Sequence, residues 1–221
     1  DSTVHNIYKE NCNSFFQKVY ECAKKNYPYI MSFSKRRDDA AQWERYANNA
    51  EGICIGFYKN KLDSLKRKIK EPFFLQEVFY DFNVKKHEHF NCVKNYICDN
   101  DLGPFTNEES LIENIVATAC SFKNVSFSAE DEIRAIILYV DSPSEFVRVE
   151  FEIRNGVIKK YAKIKWYDVC KKLELNIQDL ISEIIIGPRS QQKIDILKEY
   201  LSLNDYDDLA LKVKNSECPL R

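Results

Sequence analysis

The sequence predicts an α+β fold, one domain over residues 1–221 with a mixed or antiparallel central sheet and flanking helices. Three observations predict it. At 221 residues the chain is long enough to bury a real core without disulfide or metal staples. Apolar runs of helical period and of strand period interleave, with no repeat, low-complexity tract or clear linker between them. Glycine is rare, at five residues, and none of them spells G-x-G-x-x-G or G-x-x-x-x-G-K-[ST]. This argues against a Rossmann fingerprint or a P-loop, because both need glycine where backbone approaches phosphate.

Composition narrows the class further. Hydrophobic residues are 44% and charged residues 30%, which is globular rather than disordered. Lys plus Arg is 33 against Asp plus Glu 34, a net charge of −1. No global basic field exists, so any nucleic-acid contact would need a local patch. Eight cysteines sit mostly in apolar patterns and form no C-x-x-C pair. They are expected to be free thiols in a reducing cytoplasm, with Cys54, Cys120 and Cys170 buried. No apolar run reaches the roughly 18 residues of a membrane span and no signal-peptide pattern opens the chain, so no membrane partner is expected. The first residue is Asp1 rather than Met, so the chain is expected to begin inside a longer protein.

The elements follow in order. Residues 8–25 place Cys12, Phe15, Phe16, Val19 and Ala23 close to helical spacing, ending before Pro28. Residues 29–34 read as a short strand. Ala40, Trp43 and Tyr46 lie a turn apart in a short helix that Gly52 ends, and residues 53–58 read as a buried strand. The lysine-rich stretch at 59–70 is an amphipathic helix or turn whose charge reads as a solvated face. Residues 74–80 alternate as a strand. Residues 83–106 are polar and mixed and read as a long loop or lid. Asn107 is placed to cap a helix through Ala119, with Glu108 and Glu109 in its first turn. Strands follow at 132–140, 146–153 and 157–166, the last two joined by a tight Asn155-Gly156 turn. Residues 167–173 look helical, 181–186 form a strand, and 190–201 form a helix capped by Ser190. The tail is expected to be loosely structured.

Five constellations are candidates for chemistry. Ser32 and Ser34 share one face of a strand, where hydroxyls brace a carboxylate or simply close a turn. Trp43 and Tyr46 are one helical turn apart, which suits core packing first and a stacking wall for a flat ring second. Glu130, Asp131 and Glu132 open an apolar strand, with Arg134 beyond them. Clustered carboxylates repel and are costly unless a site uses them. Glu150-x-Glu152-x-Arg154 repeats the spelling but alternates cleanly, like the wet face of a hairpin. His87-Glu88-His89 with Cys92 lacks a completing partner and reads as a polar loop rather than a metal site.

The order of these pieces resembles a known family. Ser32–Ser34, Asp38 or Asp39 leading to Trp43, Tyr46 and Ala47, then Gly52–Phe57, Lys123–Arg134 and Ile184–Pro188 are similar to the bacterial domain-of-unknown-function family two-nine-seven-one. Its members are scattered across bacteria and phage-related loci. The likeness covers about 30 to 190; the family's H-Y-T-like strand and N-D-P-x-E turn would precede Asp1. The layout in turn looks like that of ADP-ribosyltransferases, which carry a hydroxyl or aromatic motif on one strand and a Glu opening a later one.

The resemblance implies NAD as substrate and no metal. It implies Glu132, Glu130 and Ser32 as catalytic residues, and Ser34, Trp43, Tyr46 and Arg134 on NAD. The acceptor would be a macromolecule, protein or nucleic acid, and the setting a toxin or phage-defence effector. A non-catalytic module of the same fold, binding a nucleotide, nucleic acid or protein, is the competing reading. A Mg²⁺ hydrolase using Glu130, Asp131 and Lys123 is a third.

Overall fold

The computed structural model describes residues 2–66, 73–81, 83, 88–138, 146–172 and 174–220. The fold is α+β, as the sequence predicts, with eight α-helices and eight strands among the described residues. The chain divides into two compact units, residues 1–33, 70–144 and 151–162 in the first and 34–69, 145–150 and 163–221 in the second.

The first unit begins with α1 (Ser2–Lys25), which ends with Lys24 and Lys25 beside its carbonyl end, a favourable match to the helix dipole. β1 (Pro28–Ser34) follows at once, since Pro28 cannot continue a helix. β3 (Phe73–Glu77) and β4 (Glu132–Leu138) complete a sheet in the order β1-β4-β3. β3 and β4 are antiparallel, with Phe74 opposite Ile136 and Gln76 opposite Arg134. α5 (Glu108–Ala119) starts where expected. Asn107 accepts from the Ser110 N–H and the Ser110 hydroxyl accepts from the Asn107 N–H, a reciprocal cap. Phe74, Val116, Ala117, Ile136 and Leu138 form the core beneath this sheet.

Within the expected loop of residues 83–106, α4 (Glu88–Asp99) forms a helix over half of the stretch. Its Cys92, Val93, Tyr96 and Ile97 pack on Phe15, Leu111 and Ile112, so an apolar face hides in a polar composition. Glu108 ties the three helices together, accepting from Lys18 at 2.7 Å and from the Tyr96 hydroxyl at 2.7 Å.

The second unit holds α2 (Ala40–Tyr46), β2 (Ile53–Phe57) and α3 (Lys59–Lys66). It continues with α6 (Trp166–Lys172), β7 (Ile181–Ile186) and α7 (Ile194–Ser202). Its sheet runs β2-β7-β8, antiparallel between β2 and β7 and parallel between β7 and β8 (Val213–Asn215). α7 starts four residues later than expected. Ser190 does not cap it but accepts from the Gln192 N–H in a local turn. The tail is more ordered than expected, with α8 (Asp207–Ala210) and β8 in place. Leu209 and Val213 are buried against Ile184 and Ile186, which supplies the reason.

β5 (Val147–Arg154) and β6 (Val157–Ile164) make a two-stranded ribbon. Asn155 and Gly156 both have positive φ, 52° and 74°, as a tight primed turn requires. Expectations for Arg67, Lys68, Lys70, His87, residues 139–140 and Leu173 fall outside the described residues. All eight cysteines are free. Cys170 is buried as expected, but Cys54 and Cys120 are only half-buried, because each sits near the end of its apolar run.

Candidate functional site

β4 carries the site at its first residues. The face of β4 that buries Ile136 and Leu138 also carries Arg134 and Glu132, one and two steps back along the strand. Just before it, Val125–Glu130 forms a 3₁₀ turn capped by the Asn124 side chain, and Asp131 then takes a left-handed conformation at φ 46°. That reversal lets Glu130, which lies outside the strand, converge with Glu132. Lys123 completes the group from the segment after α5. Its N–H donates to the Phe79 carbonyl, and Phe79 and Phe122 form a parallel bridge, so the backbone around Lys123 is fixed.

The Glu132 carboxylate is surrounded by donors. Its Oε1 accepts from the Ser32 hydroxyl and from Arg134 Nε at 2.9 Å. Its Oε2 accepts from Lys123 Nζ at 2.9 Å and Arg134 Nη2 at 3.3 Å. Lys123 Nζ also donates to Glu130 at 2.6 Å and lies 5.0 Å from the centre of the Phe127 ring. Arg134 is held in turn by the Cys120 carbonyl. The Glu132 N–H donates to the Tyr80 phenol oxygen at 3.0 Å, and its carbonyl accepts from the Val78 N–H. Glu130 and Glu132 are each only 4% exposed.

Two buried acids side by side would ordinarily resist ionisation. Burial does push the Glu132 pKa upward, but hydrogen bonds from Arg134, Ser32 and Lys123 more than reverse this and hold it at about 2. For Lys123 burial pulls downward, and the two carboxylates outweigh it and raise its pKa. The side chains therefore form an alternating chain, Glu130, Lys123, Glu132, Arg134, in which Glu132 is held ionised.

The structure brings Ser32, Glu130, Glu132 and Arg134 together within the first unit. Ser34 belongs to the second unit, where its hydroxyl accepts from the Arg36 N–H in a local turn. Trp43 and Tyr46 belong to the second unit, and there they part company. Trp43 is 3% exposed, packed on Ala50 and Ile185, with its indole N–H donating to Asp38 at 2.7 Å. Trp43 packs as a core residue, the first of the two readings that its spacing allows. Tyr46, the next turn along, is 64% exposed. Lys123 and Tyr80 join the site as well. Lys123 is visible in the sequence as the start of the Lys123–Arg134 motif, whereas Tyr80, just past β3, carries no signal of its own.

The second E-x-E-x-R copy behaves as a wet hairpin face. Arg154 and Glu152 pair at 2.8 Å with most of the Arg154 side chain in solvent. Among the described residues no three His, Cys, Asp or Glu side chains converge to hold a metal ion. Among the same residues no helix is long and apolar enough to cross a membrane.

Comparison with known proteins adds one relation. Residues 42–135 match the family described as Protein of unknown function (DUF2971). The DUF2971 match takes in Trp43, Tyr46, Gly52–Phe57 and the whole Lys123–Arg134 segment with both acids. It stops at Ala135, within β4, and leaves Ser32 and Ile184–Pro188 outside. No curated protein and no solved structure matches the chain.

Proposed function

We propose that the first unit carries an ADP-ribosyl-transfer site that uses NAD and modifies a macromolecular acceptor, in a cytoplasmic toxin or phage-defence role. What supports the reading above all is the meeting of Ser32 with Glu132, a strand hydroxyl braced on an ionised Glu that opens a neighbouring strand. In this reaction the C1′–N bond of NAD breaks and nicotinamide leaves with the bonding electron pair. Positive charge develops at C1′ and the ring oxygen. Glu132, ionised down to about pH 2, holds a ribose hydroxyl and stabilises that charge. Ser32 and Arg134 orient the carboxylate. The acceptor nucleophile bonds to C1′, and its proton passes to Glu130.

One observation favours a second reading, a binding module without turnover. Both oxygens of Glu132 already accept two donors each from the protein, which is the full lone-pair count of a carboxylate. A ribose hydroxyl must then displace one of them or share an oxygen.

The deciding experiment incubates the full chain with NAD labelled on its adenylate half. Nicotinamide release with label passing to a macromolecule, both lost in Glu132→Gln, is the expected result. Label bound reversibly without nicotinamide release identifies the binding module.

A further inference from the structure

We propose that Lys123 is a positioning residue, a fixed internal cation that keeps Glu130 and Glu132 ionised and apart so that the second acid can act. This inference rests on the transfer reading for its activity readout, and on geometry for its physical content. Lys123 Nζ lies between the two carboxylates, 2.6 Å from Glu130 and 2.9 Å from Glu132. Both acids are 6% exposed or less at the side chain, so solvent cannot screen one from the other. Without a cation between them, two carboxylates that share a buried site do not both ionise: one keeps its proton, as like charges demand. Arg134 is directed at Glu132 and at backbone. Its Nε and Nη2 donate to Glu132 and its Nη1 to the Cys120 carbonyl.

Among the described residues, the other groups in contact with Glu132 are not cations. Ser32 on β1 donates one hydroxyl proton, Tyr80 after β3 meets the backbone N–H, and Gln76 on β3 lies opposite Arg134. Asp131 adds a third acid to the same turn. Lys123 thus touches both carboxylates. It is also held in place rather than swinging freely, by the Phe79 carbonyl at its backbone and the Phe127 ring beside its ammonium. A mobile surface lysine would lose side-chain entropy on pairing twice; here the anchoring has been built into the segment.

The test compares the parent chain with Lys123→Met, which keeps length and removes charge, and Lys123→Arg, which restores it. Two readouts are used. The first is the pH profile of nicotinamide release from NAD. In Lys123→Met the acid limb is expected to rise by about one pH unit or more, as loss of an adjacent opposite charge implies. The rate constant kcat falls about tenfold or more, a barrier change of about 1.4 kcal/mol. KM for NAD stays within about threefold, because an aid to the transition state is lost and not substrate binding. Lys123→Arg is expected to bring the limb back.

The second readout needs no activity. Carboxyl NMR titration of ¹³C-glutamate-labelled chain, with Glu132 assigned through Glu132→Gln, follows the acid directly. The Glu132 signal is expected to titrate near pH 2 in the parent and at least about one pH unit higher in Lys123→Met. A purely structural lysine would lower thermal stability and leave both the pH limb and the carboxyl titration where they were. That result overturns the proposal. If the parent releases no nicotinamide, the transfer reading fails, and the carboxyl titration alone then decides the role of Lys123.

Discussion

Ser32 donates its hydroxyl proton to Glu132 across 100 residues of sequence. The bond exists because β1 lies beside β4 in one sheet. A hydroxyl on an ionised carboxylate is a charge-assisted hydrogen bond, stronger than a neutral one and directional. It fixes one oxygen of the acid, while Lys123 and Arg134 fix the other. The acid is aimed as well as charged.

That arrangement separates the two E-x-E-x-R strands by experiment. Glu132→Gln keeps the side-chain shape and removes the charge that four donors address. Nicotinamide release is expected to fall on the order of a hundredfold or more, the scale of one lost electrostatic contact of roughly 2.7–4 kcal/mol. Glu152→Gln breaks only an exposed pair with Arg154, so its rate is expected to stay within about twofold of the parent. Rates measured at saturating NAD check both. Equal rates for Glu132→Gln and the parent reject Glu132, and loss in Glu152→Gln alone moves the assignment to the second copy.

Acid stability gives an independent handle on the same residue. The Glu132 carboxyl is lowered from an ordinary 4.5 to about 2, so its contribution to stability is full above 4.5 and is lost as pH falls towards 2. The difference corresponds to about 3 kcal/mol. Asp38, Glu108 and Glu183 are also lowered and act in the same direction, so the parent curve alone does not isolate Glu132. Urea unfolding of parent and Glu132→Gln between pH 6 and pH 3 does. The stability gap between them is expected to shrink as pH falls; parallel curves would assign the acid loss elsewhere.

Much of this fold is legible in the sequence, and the exceptions have physical causes. The Asn107 cap, the Asn155-Gly156 turn and the 181–186 strand are local signals and appear where expected. α4 escapes a sequence reading because its apolar face, Cys92, Val93, Tyr96 and Ile97, is broken up by Lys94, Asn95 and polar flanks. β8 escapes because three residues carry no period, and its place depends on pairing with Ile184–Ile186. In the site, residue type and order point to Glu132 and Ser32. They do not reveal the role of Lys123, which depends on a 3₁₀ turn and a left-handed Asp131 that fold nine residues back on themselves. For Trp43 a spacing of one helical turn fits a ligand wall and core packing equally well, and only burial separates the two.

Asp38 is expected to be a stability residue for the second unit. At φ 51° it accepts from the Trp43 indole at 2.7 Å, the Ser216 hydroxyl at 2.5 Å and the Glu217 N–H at 2.7 Å. It therefore fastens the tail after β8 to the start of α2. Asp38→Ala strands a buried indole N–H and is expected to cost roughly 2–3 kcal/mol. Asp38→Asn keeps an acceptor oxygen and tolerates positive φ, so it should cost distinctly less. Urea midpoints rank the two, and Trp43 fluorescence in a Trp166→Phe background reports whether the indole becomes wet. An Asp38→Ala chain as stable as the parent would show that the tail is not held this way.

Two glycines in the same unit should respond in opposite degree to a single methyl. A Cβ at Gly187 would sit 2.3 Å from the Ala50 carbonyl oxygen and 2.7 Å from that of Gly52. Both neighbours are backbone, and neither is free to retreat. The Gly187 N–H is bonded to the Gly52 carbonyl, and the Arg189 N–H to that of Ala50. Ala50 ends a run of three left-handed residues, Asn48, Asn49 and Ala50, at φ 48°, 54° and 70°. Its own N–H is tied to the Trp43 carbonyl. A shift would have to move that strained turn and Trp43 with it. A Cβ at Gly56 meets Ser182 Oγ at 2.6 Å and Glu183 Cγ at 2.8 Å, which are side-chain atoms able to change rotamer. Gly187→Ala is expected to lose about 3 kcal/mol or more, and Gly56→Ala about 1 kcal/mol. Denaturant titration of the two variants measures the order. A Gly187→Ala chain less perturbed than Gly56→Ala would mean that the 48–50 turn yields more easily than its neighbouring side chains.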